Sequence, residues 1–370
     1  MSDAWSTAVL AALAEPDETL QFLPPPRAFS AQTVRQAVRL RRGGAALRVT
    51  LSNEFGRGPL VLDAVAVSTS DTTSVLPALR LGGARWEIPA GESAVSDPIP
   101  LTVAAGEELV VSCFTSGSTE PATYLHSAQR TAEVAPGNQV DRPELTESAR
   151  CASLFWISQV LVDAPATGPV IVAFGDSITR GDCTTPDRDQ RYPDHLQRRL
   201  LAAGVDRAVV LNAGIGGNRV LRSPVGPSMT DRFVRDVLGV AEATHVVIMG
   251  GLNDIALSPR PDAKELTEGL FALADRAQQR GIRPALGTLT PFGGSSYPAF
   301  LAEGNEDVRQ AVNHAILSQQ DWPVVDFAAA VADRGDPGRL AAAFDSGDGV
   351  HPGDDGARTL ADAVDLALFT

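Results

Sequence analysis

The sequence is poor in cysteine, in positive charge and in long apolar runs. Its three cysteines, Cys113, Cys151 and Cys183, stand far apart. They are too scattered for a zinc cluster and too few for a disulfide framework, so free thiols in a reducing compartment are the simplest expectation. A net charge of −14 disfavours nucleic acid and anionic membranes as partners, because a phosphate backbone needs a basic footprint. No run approaches the length of a membrane span.

The first residues lack the features of a secretory signal. They carry Asp3 and no lysine or arginine before a short apolar stretch. A signal peptide has a basic region and a longer apolar core. We therefore expect a cytoplasmic protein, or a secreted one if this chain is a processed form. The sequence predicts no particular oligomeric state.

The N-terminal part of the chain has the sequence pattern of an all-β domain. With 370 residues the chain is too long for one ordinary core. Strand-like segments between frequent turns are residues 47–53, 60–68 and 109–115. This spacing is typical of a sandwich or barrel, and we predict a jelly-roll-like β-sandwich over residues 1–165. Helical periodicity is confined to about residues 4–14 and 30–38.

The C-terminal part alternates continuous apolar runs with amphipathic segments. The runs are residues 170–174, 208–212, 245–249, 285–289 and 324–327. Strands that are apolar on both faces belong to a parallel sheet covered by helices. The segments with helical steps are residues 193–203, 262–280, 304–319 and about 354–369. We predict a doubly wound α/β domain over residues 166–370, after a linker at residues 164–169.

Four motifs follow predicted strands or precede the final helix. They are GDS ending at Ser177, NAGIGGNR at 212–219, GGLND at 250–254 and DGVH at 348–351. Alone, a serine in a glycine-rich turn is more often a turn residue than a nucleophile. Parallel strands end at one edge of the sheet, where such folds bind ligands, so we expect the motifs to meet there.

The first and last motifs supply a candidate catalytic triad. Serine is a good nucleophile only when a base takes its proton, and histidine titrates near neutrality. Asp348 precedes His351 by three residues and is placed to hold its second ring nitrogen. His245 follows Glu242 by three residues, but it opens a buried strand at the end away from the strand tips. No acid stands three residues before the others, His126, His195 and His314.

The two middle motifs supply candidate oxyanion donors. A tetrahedral intermediate needs fixed donors in a dry site. The candidates are the backbone N–H of Ser177, the backbone N–H of Gly217 and the side-chain amide of Asn253. Glycine lets the backbone approach a substrate, although Asn253 alone could equally be a turn cap. A phosphate-cradling loop is the alternative for GIGG, but the G-x-G-x-x-G fingerprint after the first strand is absent.

These residues together resemble the SGNH hydrolases, also called the GDSL lipase/esterase family. GDSIT matches the nucleophile block, with Ile178 where the name motif has leucine, and GLND and DGVHP match the asparagine and histidine blocks. NAGIGGN matches the glycine block, with Gly216 as the alternative to Gly217. The strings GIGGNRVL, RFVRDVL and DLALF are similar to acylhydrolases and arylesterases related to xylan-degradation enzymes. TVRQAVRL is similar to their preceding β-rich segment.

The resemblance implies a flavodoxin-like three-layer α/β/α fold and ester hydrolysis through an acyl-enzyme, without metal or cofactor. It implies short acyl groups, acetyl in particular, on a carbohydrate or small aryl alcohol. A thioesterase or lysophospholipase stays open, because the same machinery serves any activated acyl group. A non-catalytic carbohydrate-binding protein would need exposed aromatic rings, and core positions explain the candidates better. These candidates are Trp86, Tyr124 and Trp156.

Some further side chains have weaker indications. We expect the sandwich to pack on the active-site edge, where His126 could approach the catalytic groups. The aspartates after the serine are spaced too loosely for calcium and are expected in a solvated loop. They are Asp182, Asp187, Asp189 and Asp194. Cys183 is expected near the pocket rim as a small packed thiol.

Overall fold

A computed structural model describes residues 5–16, 25–70 and 75–370 of the chain. The chain forms two compact units, Met1–Ala166 and Thr167–Thr370. The division falls within the segment 164–169.

The N-terminal unit is built from antiparallel strands. They are β1 Trp5–Leu10, β2 Ser30–Arg39, β3 Leu47–Ser52, β4 Leu60–Leu62, β5 Ala64–Thr69, β6 Leu76–Pro77, β7 Trp86–Ile88, β8 Ser93–Val95, β9 Glu108–Ser118, β10 Tyr124–Leu125, β11 Ala132–Pro136, β12 Ala149–Cys151, β13 Leu154–Phe155 and β14 Ile157–Asp163. One sheet has the order β12-β11-β2-β9-β5-β6 and another β1-β14-β3-β8, while β4 with β7 and β10 with β13 form pairs. Buried residues of both larger sheets belong to one hydrophobic cluster. The unit is strand-rich, and the jelly-roll-like sandwich stays a prediction.

Both helical expectations in this unit are wrong. Residues 5–10 form β1, which pairs with β14, and 30–39 form β2 between β11 and β9; residue 4 lies outside the described residues. From Val34 to Arg39 the buried Val34, Gln36 and Val38 alternate with partly exposed residues, so the period there is two. Gln36 is buried because its amide bonds to the backbone N–H and carbonyl of Phe155. Pairing in the sheet outweighs the local pattern.

The three aromatic candidates of this unit are core residues, as expected. Trp86, Tyr124 and Trp156 are each at most 1 % exposed, so none offers a ring to a carbohydrate. His126 is also buried, with its ring centroid 5.6 Å from that of Tyr124. Its approach to the catalytic groups stays a prediction.

The C-terminal unit is a five-stranded parallel sheet with helices. The strands are β15 Val170–Gly175, β16 Val209–Gly214, β17 His245–Met249, β18 Arg283–Gly287 and β19 Val324–Val325. The helices are α1 Ser177–Arg180, α2 Tyr192–Ala202, α3 Met229–Phe233, α4 Leu252–Leu257, α5 Ala263–Gln278, α6 Asn305–Ser318, α7 Phe327–Val331 and α8 Asp354–Asp362. A π-helical turn, Val234–Leu238, follows α3, and the 3₁₀ helix Leu366–Phe369 follows α8. The closing helix is therefore shorter than expected. None of these described helices is long and apolar enough to cross a membrane.

The longest helix shows how sequence sets these elements. Asp262 caps α5, because its carboxylate accepts the backbone N–H groups of Lys264 and Glu265. Leu266, Leu270 and other apolar residues at three- and four-residue steps are buried. β15, in contrast, is buried at all six positions, as a central parallel strand requires.

The strand order of the sheet reverses between β15 and β17. The order is β16-β15-β17-β18-β19, which is the flavodoxin order. The chain moves one way from β15 to β16 and the other way to the later strands. Because such crossovers are right-handed, helices cover both faces: α2 contacts α8, and α5 contacts α6. The carboxyl end of β15 therefore lies where the strand order reverses, the usual ligand site of this fold.

Candidate active site at the carboxyl ends of the strands

Ser177 stands in a tight turn between β15 and α1. The strand ends at Gly175, where an added Cβ would lie 2.1 Å from the carbonyl oxygen of Met249. Asp176 caps α1 and accepts the backbone N–H of Ile178 at 3.1 Å. The turn thus places Ser177, which is 7 % exposed, at the first position of the helix and at the edge of the sheet.

Three of the predicted site residues are linked by a continuous chain of hydrogen bonds. Nε2 of His351 lies 2.9 Å from Oγ of Ser177, and Nδ1 lies 2.6 Å from Oδ2 of Asp348. Oδ1 of Asp348 accepts the backbone N–H groups of Val350 and His351, at 2.9 and 2.8 Å. An ionised Asp348 only accepts, so Nδ1 carries the ring proton and Nε2 can accept from the serine hydroxyl.

The loop that carries Asp348 and His351 is fixed by its backbone. Asp345 accepts the N–H groups of Gly347 and Gly349, both at 2.9 Å. Gly349 has φ +73°, and an added Cβ would lie 2.1 Å from the carbonyl oxygen of Gly294. The N–H of Ser296 donates to the carbonyl of Asp348 at 2.8 Å. The acid and base are therefore held in place before any substrate binds.

The histidine and aspartate shift each other's titration. Burial by itself lowers the pKa of His351, but the hydrogen bonds with Asp348 and Cys183 and the neighbouring carboxylates outweigh it and raise the pKa well above its ordinary value. Burial by itself raises the pKa of Asp348, but the bonds from His351 and the backbone hold it below its usual range. The pair stabilises a protonated imidazole, the form that exists after proton transfer from serine.

Gly217 and Asn253 follow the neighbouring strands. Gly217 has φ +71° in the loop after β16, a conformation that favours glycine. At Gly216 an added Cβ would instead lie 2.1 Å from the guanidinium of Arg180, the far end of a long side chain. Asn253 lies in α4 after β17, and its Nδ2 donates to the carbonyl of Asn218 at 3.0 Å. Their roles as oxyanion donors stay predictions.

The loop after Gly217 is held by two side chains that sequence reasoning missed. Asn218 is fully buried, and its Nδ2 donates to the carbonyls of Val225 and Pro227 at 2.8 and 2.9 Å. Asp254 accepts the N–H groups of Val220 and Leu221 at 2.7 and 3.1 Å. Burial raises the pKa of Asp254 to about 6, against those bonds. Both residues stand inside the quoted motifs, next to the residues singled out.

Arg232 is a third missed residue, and its side chain is fully buried. It donates to the carbonyls of Gly175 and Ala213 at 2.7 and 2.8 Å, and to Oδ1 of Asn218 at 3.0 Å. It pairs with Asp236 at 2.7 Å and lies 4.3 Å from the ring centroid of Phe174. An arginine in an amphipathic segment is expected outside, and only the acid four residues later signals a partner.

The expectations for the segment after Ser177 need correction. The solvated aspartate loop is wrong for Asp194, which is fully buried and bonds to Arg191 at 2.6 Å. Asp182 pairs with the buried Arg180. Cys183 is exposed rather than packed, and its Sγ lies 3.8 Å from Oδ2 of Asp348. The three cysteines, all in described segments, are free.

Tyr297 is an exposed aromatic residue beside the histidine. It lies in the loop after β18 and is 46 % exposed. Its ring centroid is 6.5 Å from that of His351, with the planes at 83°. His245, by contrast, opens β17 at the amino end of the sheet, as predicted.

Comparison with known proteins gives the following matches. Residues 173–359, which include all five predicted site residues, match the model of the GDSL-like lipase/acylhydrolase family. No curated protein matches the chain.

Three similar solved structures each align with about half of this chain. The lipase/acylhydrolase from Enterococcus faecalis is 23 % identical, with 54 % of this chain and 93 % of that chain covered and a TM-score of 0.43. The acetyl xylan esterase AlAXEase is 24 % identical, with 52 % and 96 % covered and a TM-score of 0.42. The aryl esterase of M. smegmatis is 19 % identical, with 53 % and 95 % covered and a TM-score of 0.44.

Proposed function

The chain belongs to the GDSL-like lipase/acylhydrolase family, and we propose that it is a serine carboxylic ester hydrolase whose nucleophile is Ser177. The observation that carries this proposal is the hydrogen-bonded line from Oγ of Ser177 through His351 to Asp348, with distances of 2.9 and 2.6 Å. These distances are within the reach that proton transfer needs.

In the acylation step Oγ of Ser177 attacks the acyl carbon while Nε2 of His351 takes the hydroxyl proton. Asp348 stabilises the resulting imidazolium through Nδ1. The tetrahedral intermediate then collapses, and the imidazolium returns the proton to the leaving alkoxide. The alcohol departs and the acyl group remains on Ser177.

The oxyanion of the intermediate is bound by the backbone N–H groups of Ser177 and Gly217 and by the amide of Asn253. One hydrogen of the Asn253 amide already bonds to the carbonyl of Asn218, which leaves the other for the substrate. Loss of one such donor costs about 10²–10³ in kcat in serine hydrolases.

Deacylation repeats the chemistry with water. His351 takes a proton from a water molecule while the water oxygen attacks the acyl carbon of the acyl-enzyme. Collapse of the second intermediate breaks the bond to Oγ and returns the proton to Ser177. The acid leaves, and no metal or cofactor takes part.

The proposed substrates are short acyl esters, acetyl in particular, of a carbohydrate or a small aryl alcohol. Tyr297 supports an aromatic or sugar leaving group, because its exposed ring stands beside the histidine that protonates that group. Tyr297→Ala should raise KM for an aryl acetate more than for methyl acetate, while Tyr297→Phe should retain the wild-type ratio.

Acyl-chain length is tested with two esters of one alcohol. Wild-type protein should cleave 4-nitrophenyl acetate with a higher kcat/KM than 4-nitrophenyl octanoate. Faster cleavage of the octanoate would exclude the short-acyl proposal and leave the hydrolase proposal standing.

The nucleophile is tested by intact-protein mass after treatment with a serine-reactive organophosphonate. One adduct should form on the wild type and none on Ser177→Ala, which should also lose ester turnover while it stays folded. Ser346→Ala, an exposed serine in the loop before His351, is the matched control and should react like the wild type. Wild-type turnover by Ser177→Ala would end the proposal.

A further inference from the structure

Cys183 stands next to the His351–Asp348 pair without a part in the proposed reaction. It follows α1 by three residues and is exposed. Its Sγ lies 3.8 Å from Oδ2 of Asp348, which in turn lies 2.6 Å from Nδ1 of His351. The chain thus brings a thiol, a carboxylate and an imidazole to one solvent-accessible point.

These three groups have the spacing of a metal site. One ligand atom of each, sulfur, oxygen and nitrogen, lies within 4.8 Å of the other two. Zinc binds such atoms at about 2.0–2.3 Å in tetrahedral geometry, which puts the ligand atoms about 3–4 Å from one another. The sulfur–oxygen distance fits already. The contact between His351 and Asp348 must open, by less than about 1 Å on this geometry.

We propose that Cys183, Asp348 and His351 bind a soft divalent cation such as Zn²⁺, and that this binding reversibly stops hydrolysis. The effect on hydrolysis rests on the function proposed above, whereas the binding does not. Three protein ligands leave the fourth position to water, and the exposure of Cys183 gives the ion a path to the site. The ion is an inhibitor here and not a cofactor.

The inhibition follows from the histidine's two nitrogens. An ion on Nε2 occupies the lone pair that would accept the proton of Ser177. An ion on Nδ1 forces the ring proton to Nε2, which then cannot accept. In both cases the thiol of Cys183 releases one proton to solvent as the ion binds, and His351, where it is protonated, releases a second. The ligands take these protons back from solvent when the ion leaves.

The ligand set also selects among cations. Thiolate and imidazole suit zinc, cobalt and related ions, while Mg²⁺ and Ca²⁺ need several oxygen ligands. We therefore expect Zn²⁺ to inhibit and Mg²⁺ and Ca²⁺ at the same concentration to have no effect.

Binding is tested with Co²⁺ on the full chain, because a thiolate bound to cobalt gives a charge-transfer absorption band. The band should saturate at one Co²⁺ per chain in the wild type and should be absent in Cys183→Ala. The matched control is Cys151→Ala, which removes a half-buried thiol from the N-terminal unit and should keep the band. A band that survives in Cys183→Ala, or none in the wild type, would overturn the site.

Inhibition is tested by zinc titration of 4-nitrophenyl acetate hydrolysis, after treatment with a chelator and its removal. Each variant is compared with its own metal-free rate. The zinc concentration that halves the rate should rise at least about tenfold in Cys183→Ala, since loss of groups that merely support metal ligands costs about 10–100-fold. A chelator should restore wild-type activity.

The two readouts separate the possible failures. Equal zinc sensitivity in the wild type and Cys183→Ala would overturn the site, and cobalt binding without zinc inhibition would overturn its regulatory effect. If the wild type hydrolysed no ester, the function proposed above would fail, and the cobalt band would still decide the metal site.

Discussion

Arg232 donates a hydrogen bond from Nη2 to the carbonyl oxygen of Gly175 at 2.7 Å, two residues before the proposed nucleophile. The same guanidinium bonds to the carbonyl of Ala213, at the end of the adjacent strand, and to the side chain of Asn218. Since Asn218 organises the loop that holds the candidate oxyanion donor Gly217, one buried cation joins the nucleophile turn to the oxyanion loop.

The first prediction concerns that cation. Arg232→Lys keeps the charge beside Asp236 but loses the planar fork that reaches two carbonyls and an amide at once. Donors displaced by a few tenths of an ångström affect the transition state more than the bound ester, so kcat should fall at least about tenfold with KM little changed. Steady-state kinetics and urea unfolding measure this.

The control and a harsher variant define the role of Arg232 further. Arg235→Lys alters a half-buried arginine that also pairs with Asp236, and it should retain the wild-type kcat. Arg232→Met leaves buried groups unpaired and should cost about 3–5 kcal/mol of stability. An unchanged kcat in folded Arg232→Lys would limit Arg232 to a structural role.

The second prediction uses two glycines in the loop that carries the acid and base. Both glycines have positive φ. An added Cβ at Gly349 would meet the carbonyl of Gly294, whereas an added Cβ at Gly347 would meet no atom within 4 Å. Gly349→Ala must therefore move the backbone between Asp348 and His351, and kcat/KM should fall about a hundredfold. Gly347→Ala should cost about 1–3 kcal/mol of stability from backbone strain alone. Equal kcat/KM in the two variants would contradict this.

The candidate site could be predicted from the sequence because the parallel sheet brings residues of separate motifs to one edge. Ser177, Gly217 and Asn253 each follow an apolar run, and parallel strands deliver such residues to one edge. The pairing of Asp348 with His351 could be predicted because the two residues stand three positions apart in one short loop. The sequence of the C-terminal unit likewise predicts its strands and longer helices. Short continuous apolar runs indicate the buried strands, and apolar residues at three- and four-residue steps indicate the helices.

Other features depend on contacts between distant residues. Arg232 is buried because four oxygen partners converge on it, and no local pattern shows that convergence. The polar residue Gln36 lies on the buried face of β2. It can be buried because its amide donates to the carbonyl of Phe155, 119 residues away in the sequence. Cys183 contacts Asp348 and Tyr297 lies beside His351 through loops, whose conformations the apolar pattern does not set.

The third prediction is the pH dependence of hydrolysis. Only neutral His351 accepts the serine proton, and its pKa lies above the ordinary value of about 6.5. The rate should therefore fall as pH drops through a midpoint above about 6.5. Asp348→Asn removes the carboxylate that raises the pKa, so burial should move the midpoint down, and kcat should fall by about 10⁴. The pH profile of kcat/KM measures both.

The same two shifts affect stability in opposite pH ranges. The raised pKa of His351 contributes stability that is present below the unfolded value and is lost as pH rises through the folded value. The lowered pKa of Asp348 contributes stability that is present above the unfolded value and is lost as pH falls. Asp348→Asn should therefore be least stable relative to the wild type between about pH 4 and pH 6.5, above the unfolded value of aspartate and below that of histidine. A profile midpoint that does not move in this variant would contradict the assignment of Asp348.

The fourth prediction concerns Asp176, a buried carboxyl beside the nucleophile. Burial raises its pKa to about 7, against the hydrogen bond from the N–H of Ile178. In the unfolded chain an aspartate titrates near 3.9, so between the two values the folded state holds a proton that the unfolded state has lost. Stability contributed by this group therefore falls as pH rises through that window.

Asp176→Asn removes this titration, while the amide oxygen can still accept the N–H of Ile178. Its free energy of unfolding relative to the wild type should rise between pH 5 and pH 8 by on the order of 2 kcal/mol. Urea unfolding at the two pH values measures the difference. Asp365→Asn, at an exposed cap of the final 3₁₀ helix, lacks the burial that drives the effect and serves as the control. An equal difference at both pH values for Asp176→Asn would mean that Asp176 stays ionised throughout this range, held by charge or water in the nucleophile turn.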